Sequence, residues 1–313
     1  MYELMKKSNV NSIIDRDIKD NMLNHAYMFI SSDEEYIKAL ALHIAKHIMC
    51  VKNSACNECS QCLKISKNEH ADLVILPTSK KNIVVDDVEN IVTESYVLPL
   101  EGDKKIYILN NFDQATVQAQ NKLLKTLEEP PASVVFLITA TNENNVLATI
   151  RSRCKKIFIP KINDDVLNGY IRAEYPNLNS IDRVVKIADG SLTTAIKFLN
   201  DADMFKIKDL CIEIVNVFDK SDKVLYYSSQ IQNIDNFESF LNVLLDTFRE
   251  VMEDVVMNDN STYKISKYNT RSLLGIADII QTSMMKFKAN CNINAVIDYL
   301  LLGILEVRFK CQK

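Results

Sequence analysis

Cys50, Cys56, Cys59 and Cys62 are the residues of this 313-residue chain whose types and spacing point most directly to chemistry. They read C-x5-C-x2-C-x2-C, four thiols inside 13 residues. A C-x2-C step is a turn that aims two thiolates at one centre, and zinc takes four soft ligands in a tetrahedron at about 2.3 Å. Two such steps share Cys59, and Cys50 supplies the fourth thiol from the end of the preceding helix. A closed all-cysteine shell leaves no position for water, so Zn2+ held here is expected to be structural and not catalytic. Free thiols, or one redox-active C-x2-C pair, are the alternatives. His70 follows closely enough to substitute as a ligand, although four thiols already suffice. Cys154, Cys211, Cys291 and Cys311 are scattered and read as buried apolar thiols.

A second chemistry is conspicuous by what it lacks. The chain has 5 glycines, where average usage predicts roughly 22, and the first falls at Gly102. No two stand close enough for G-x-G-x-x-G or G-x-x-x-x-G-K-[ST]. Those loops need glycine because a missing Cβ lets backbone N–H groups curl around a phosphate. A working phosphate cradle of either kind is excluded, as are collagen-like and low-complexity readings.

The remaining composition is that of a globular protein: 47% hydrophobic, 25% charged, formal net charge -4. A pI near 5.7 argues against whole-surface attraction to nucleic acid. The first ten residues, MYELMKKSNV, contain no apolar run that would read as a secretion signal. No run approaches the roughly 18 apolar residues that span a bilayer. Eight cysteines without an export signal predict reduced thiols and a cytoplasmic location, with no membrane partner.

The elements that must position these residues change character along the chain. Up to about residue 160, short apolar runs alternate with helical patterns: Tyr27–Ile30, Leu73–Leu76, Lys105–Leu109, Val134–Thr139 and Lys156–Ile159. Such runs suit strands buried on both faces of a parallel sheet, with helices as crossovers. Ala115–Glu129 reads as a helix with Leu123, Leu124 and Leu127 on one face, stopped by Pro130 and Pro131. The expected fold is therefore an α/β module with a five-stranded parallel sheet and helices on both faces, followed by two all-α domains. Its boundaries are 1–160 for the α/β domain, with the cysteine insertion at about 50–72, then 161–204 and 205–313. In the last part Phe237, Phe240, Leu241, Leu244, Phe248, Val251, Met252 and Val255 recur at helical spacing. Ile293, Val296, Ile297, Leu300, Leu301, Ile304 and Val307 do the same. Both stripes read as a bundle core, and an oligomer interface would give the same periodicity.

Several segments in fixed order resemble the bacterial clamp-loader branch of the AAA+ family, and within it most closely the delta-prime type of DNA polymerase III subunit. They are His25-Ala26-Tyr27, the cysteine cluster, His70-Ala71-Asp72, Gln120-Asn121-Lys122-Leu123-Leu124-Lys125-Thr126-Leu127-Glu128-Glu129-Pro130-Pro131, and Thr149-Ile150-Arg151-Ser152-Arg153-Cys154. The resemblance covers roughly residues 20–160 and implies an AAA+ module with a zinc insertion, a small helical lid and a C-terminal helical collar. It also locates the nucleotide site. Family members that hydrolyse ATP follow the first strand with a loop ending in G-K-[ST]. Here Ile37 stands at the phosphate-binding lysine and Lys38 at the magnesium-binding hydroxyl. Asp33, Glu34 and Glu35 add negative charge where a triphosphate would sit. Asn110 and Asn111 replace the Asp-Glu pair that holds magnesium and polarises water. Thr193 replaces the lid-domain arginine expected after Gly190-Ser191-Leu192. The resemblance therefore implies no bound ATP and no intrinsic ATPase or polymerase activity.

Arg153 differs. In the family the arginine of S-R-C reaches into a neighbouring subunit's ATP site, and guanidinium suits that role because it stays charged and binds phosphate oxygens in pairs. By resemblance Arg153, with Ser152 and Cys154 of its motif, is an arginine finger in trans. Arg151 reads as a solvent-facing residue and His25 as a packing residue. The implied partners are the gamma/tau ATPase and delta subunits in a hetero-oligomer, and through that complex the sliding clamp and primed DNA. Two other classes compete: an active AAA+ ATPase with an unusual loop, and a zinc-dependent nucleic-acid-binding regulator.

Overall fold

In the computed structural model, residues 5, 9–77, 82–176, 181–201, 203–218, 221–257, 263 and 268–311 are described. The chain divides into two units, Met1–Ile196 and Lys197–Lys313.

The first unit is built on five parallel strands: β1 (Ala26–Ile30), β2 (Leu73–Leu76), β3 (Lys105–Leu109), β4 (Val134–Ala140) and β5 (Lys155–Phe158). Their order across the sheet is β2-β3-β4-β1-β5. Every residue of β1, β3 and β4 is buried. Side chains alternate faces along a strand, so unbroken burial means that both faces are covered. The two edge strands are only partly buried, and Phe158 lies exposed on β5. Strand positions agree with the sequence reading to within one residue at each end.

The connecting helices are α1 (Asn9–Lys19), α2 (Glu34–Met49), α3 (Ser60–Ser66), α4 (Val85–Ser95), α5 (Val117–Glu128) and α6 (Ala148–Arg151). The helix expected at 115–129 begins later, at Val117. A 3-10 turn occupies Phe112–Gln114, and Thr116 caps α5 by accepting a hydrogen bond from the Ala119 N–H at 3.2 Å. Leu123 and Leu127 are fully buried beneath it, whereas Leu124 packs only at the margin of the core.

The connection leaving β1 runs toward the β2 edge, whereas those leaving β2, β3 and β4 run the other way, so β1 marks a switch point in the sheet. In open α/β sheets the carboxyl ends of strands at such a switch point form the crevice in which ligands bind. The short turn Ser31–Asp33, the pair Asn110-Asn111 and the residues after β4 all emerge at this end. Three further helices follow: α7 (Asp164–Glu174), α8 (Ile181–Ala188) and α9 (Leu192–Asn200), the last crossing the unit boundary. Asp189 and Gly190 turn the chain between α8 and α9 with positive φ, 44° and 72°. A Cβ on Gly190 would lie 2.4 Å from the Ile162 carbonyl oxygen, which itself sits beside the Ile162 N–H···O Gly190 bond of 2.9 Å.

The second unit holds α10 (Asp203–Val217), α11 (Val224–Gln232), α12 (Phe237–Met257), α13 (Thr270–Lys288) and α14 (Ile293–Cys311). The predicted stripes face its core for most of their length: Phe237, Phe240, Leu241, Leu244, Phe248 and Val251 on α12, and Val296, Ile297, Leu300, Leu301 and Ile304 on α14, are buried. The ends depart from the pattern. Met252, Val255 and Val307 are half-buried and Ile293 is exposed, because the stripe runs past the helices it packs against. Arg308 is buried, stacks over Tyr268 and donates to the carbonyls of Val215 and Phe218, answering the negative C-terminal end of α10.

Gly190→Ala is expected to destabilise the first unit by about 2–4 kcal/mol, combining a left-handed backbone with a backbone clash. Urea unfolding followed by circular dichroism measures it, and a change within 0.5 kcal/mol of zero would contradict the assigned geometry.

Candidate functional site

At the switch point the turn after β1 is three residues long, and α2 begins at Glu34. The first N–H groups of a helix have no partner within it and carry the positive end of its dipole, which makes this position attractive to anions. In this chain the anion is internal. Asp33, 4% exposed, is the N-cap of α2 and accepts from the Tyr36 N–H at 3.2 Å. The same carboxylate accepts from the Leu192 N–H, from the Thr193 N–H at 3.1 Å and from the Thr193 hydroxyl. The Thr193 oxygen in turn accepts from the Glu35 N–H at 3.0 Å. Leu192 and Thr193 open α9, so one buried carboxylate serves the N-termini of two helices.

The other substituted positions are also engaged. Ile37 has no exposed surface and packs in the core. Lys38 pairs with Glu34 and lies 3.7 Å from Glu35. Asn111 has left-handed backbone (φ 51°) and donates from Nδ2 to Glu34 at 2.6 Å. Its N–H bonds to Thr139 Oγ1, which approaches Asn110 Oδ1 at 3.5 Å. Asp113 is turned to the end of β4, where it accepts from Thr141 Oγ1 at 2.8 Å and the Asn142 N–H at 3.1 Å. Asp33 is thus answered by backbone N–H groups and the Thr193 hydroxyl, and Lys38 pairs with Glu34 and Glu35.

The four sulfurs of Cys50, Cys56, Cys59 and Cys62 lie within 4.8 Å of one another, and those of Cys50 and Cys59 are 3.9 Å apart. A tetrahedron with 2.3 Å metal–sulfur bonds has sulfurs about 3.8 Å apart. The donor set thus fits one metal ion such as zinc. Cys50 ends α2, Cys59 caps α3 and Cys62 lies within it. The intervening loop turns through left-handed backbone at Asn53, Ala55 and Asn57. Burial raises the Cys50 thiol, but the N–H groups of Cys56, Ser54 and Lys52 outweigh it and bring the pKa down to about 6, which favours the thiolate. His70 is not a fifth donor: Nδ1 accepts from the Asp72 N–H at 3.1 Å and Nε2 meets Gln61 Oε1 at 2.6 Å. Of the scattered cysteines, Cys211 is buried as expected, Cys154 is half-buried with its thiol pushed up to about 12, and Cys291 is exposed. Cys291 follows α13 in a surface turn, a position its neighbours in sequence do not reveal. The Cys311 side chain lies outside the described residues.

Arg153 lies in the turn between α6 and β5. Its NH1 donates to the Thr149 carbonyl at 2.7 Å and its NH2 to Glu128 Oε1 at 2.6 Å. The Ser152 hydroxyl donates to the same carbonyl at 3.0 Å. His25 sits against the Arg153 backbone, and burial holds its imidazole below the usual range. Arg151, expected to face solvent, is half-buried near Glu143.

Fold and site together define an AAA+-type α/β module with a four-cysteine insertion, followed by helices. The chain belongs to the family described as DNA polymerase III, delta subunit, which matches residues 6–163. It is 22% identical to the DNA polymerase III subunit delta' of Bacillus subtilis over 98% of both chains. It is 30% identical to the subunit gamma/tau of Mycoplasma genitalium over 76% of this chain and 43% of that protein. The chain thus spans less than half the length of the gamma/tau relatives it matches. A gamma-subunit-related protein of Thermotoga maritima shares the fold, with a TM-score of 0.50 at 15% identity over 96% of this chain and 98% of that one. Among the described residues no helix is long and apolar enough to cross a membrane.

The sequence reading placed Asp33 and Thr193 in the site separately but missed that they bind each other. The readable signal was the capping pattern Asp33-Glu34-Glu35 before an apolar-periodic helix. Its second client, α9, lies about 160 residues away. Asp33→Ala is expected to cost about 2–4 kcal/mol of stability, one cap and several charge-assisted bonds. Millimolar phosphate or formate is expected to restore part of it. Denaturation of the variant that ignores both anions would remove the carboxylate from this role. For the cysteines, purified protein is expected to carry about one zinc per chain by atomic emission, and Cys59→Ser to lose it. Full-length protein purified without chelator and lacking metal would show that the sulfurs serve another purpose.

Proposed function

We propose that this chain is a non-catalytic, delta-prime-like clamp-loader subunit of DNA polymerase III that neither binds nor hydrolyses ATP and supplies Arg153 to a neighbouring ATPase subunit. One observation carries the reading. The end of the sheet where a nucleotide's phosphates would bind is filled by the chain's own Asp33, Thr193, Glu34 and Lys38. Ile37 removes the phosphate-binding ammonium, and Asn110 and Asn111 remove the charge that magnesium needs. By contrast Arg153 is half-buried with part of its side chain open to solvent, and the Ser152-Arg153-Cys154 motif is complete. End-to-end similarity to the delta' relative, against partial coverage of the gamma/tau relatives, supports the delta-prime assignment.

In this reading residues 161–204 are the lid and 205–313 the collar through which the subunit joins its hetero-oligomer. Its partners are the gamma/tau ATPase and delta subunits in the cytoplasm, and the complex acts on the sliding clamp and primed DNA. Zn2+ bound by Cys50, Cys56, Cys59 and Cys62 would lock the insertion between α2 and α3 and take no part in the chemistry. Arg153 would stabilise charge on the phosphoryl group transferred in the neighbour's site, a contribution worth about 10³–10⁵ in rate where such fingers have been removed.

The test is reconstitution. Arg153→Ala is expected to leave assembly intact and to lower clamp- and DNA-stimulated ATP turnover by tenfold or more at the affected site. Unchanged turnover rejects the trans role. Specific ATP binding by the isolated chain, abolished by Lys38→Ala, would replace this reading with that of an active ATPase.

A further inference from the structure

The string Leu123-Leu124-Lys125-Thr126-Leu127-Glu128-Glu129-Pro130-Pro131 is among the most distinctive in the sequence, and the core explains only part of it. Leu123, Thr126 and Leu127 are buried, and the prolines end the helix. Neither fact accounts for Glu128 and Glu129. Both are exposed, and both sit at the C-terminal end of α5, where the helix dipole is already negative and carboxylates are disfavoured. A pair of carboxylates at this end lowers helix stability unless a cation answers it. Lys125, in the last turn, answers the dipole itself.

The cation that answers Glu128 is Arg153, 25 residues on. The Glu128 carboxylate and the Thr149 carbonyl hold the NH2 and NH1 ends of its guanidinium at 2.6 and 2.7 Å. Thr149 O also receives the Ser152 hydroxyl, so the whole Ser152-Arg153 turn is braced against one carbonyl. A guanidinium has five N–H donors in a rigid fork. Two are used here, both toward the chain itself. An unrestrained arginine has rotamer freedom worth about 2 kcal/mol that must be lost before it can meet a phosphate at fixed geometry.

We infer that Glu128 is a positioning residue for Arg153: it fixes the direction of the guanidinium before a neighbouring subunit's phosphates arrive. This inference rests on the trans role proposed above and adds the residue that makes the arginine ready. The cost is partial neutralisation of the arginine's charge. At a surface position that cost is small, since exposed pairs contribute about 0–1 kcal/mol. The benefit falls on the step that requires orientation.

The experiment uses the reconstituted complex and four variants, with kcat and KM for ATP measured in the presence of clamp and primed DNA. Glu128→Ala is expected to lower kcat about three- to tenfold with KM changed less than twofold, corresponding to orientation lost without loss of nucleotide binding. Glu128→Gln keeps an acceptor oxygen for NH2 and is expected to recover at least half of the lost kcat. In an Arg153→Ala background Glu128→Ala is expected to have no further effect, since its action passes through the arginine. The inference is overturned by kcat unchanged or raised in Glu128→Ala, by no recovery in Glu128→Gln, or by full additivity with Arg153→Ala. If Arg153→Ala itself leaves turnover unchanged, the trans role fails and the positioning role fails with it. If Arg153→Ala is impaired and Glu128→Ala is not, only the positioning role fails. Loss of assembly, read by gel filtration for each variant, would assign Glu128 to folding or docking and likewise overturn it.

Discussion

Helix N-termini at the carboxyl end of a parallel sheet present unpartnered N–H groups and a positive dipole, and something negative has to meet them. In nucleotide-binding sheets a phosphate does so, reached by a glycine loop that lets the backbone close around it. This chain meets the same requirement with a carboxylate of its own. Asp33 occupies the N-terminus of α2 and, through Leu192 and Thr193, that of α9. The turn from β1 can then be only three residues long and needs no glycine. Asp33 and Thr193 therefore act as one unit, although they lie far apart in the sequence.

Glycine's other task, supplying left-handed backbone, is taken over by asparagine. Asn21, Asn53, Asn57, Asn68, Asn111 and Asn290 all have positive φ, joined by Asp189 and Ala55 among the non-glycine residues described. Asparagine tolerates this region because its short amide bonds to nearby backbone. Ala55 has no such compensation, and a non-glycine residue held there costs about 1–3 kcal/mol unless its surroundings enforce it. It lies between Cys50 and Cys56, inside the loop that gathers the four sulfurs. Gly190 is the position where the substitution could not be made, because the Ile162 carbonyl fills the space a Cβ would need.

Local signals carried much of this molecule. Strands β1 to β5 were readable because strands buried on both faces leave apolar runs with few polar interruptions. The helix ending at Glu128 was readable from its stripe and from Pro130. The four cysteines were readable because their spacing lies within a single loop, so distance along the chain stands in for distance in space. Leu124 and Ile293 marked the limit: periodicity identifies a face but not where the neighbouring element stops covering it.

Sequence alone determined which residues are present to do chemistry: four closely spaced thiols, the Ser152-Arg153-Cys154 triplet, and an apolar Ile37 beside Lys38. Tertiary structure decided what each charge does. Asp33 meets Thr193 across 160 positions, Glu128 meets Arg153 across 25, and Lys38 is used up by Glu34. Such pairings depend on which strand ends and helix termini the sheet order brings together, and electrostatic partners are chosen by distances of a few ångströms in space. Composition and spacing along the chain contain no measure of that distance.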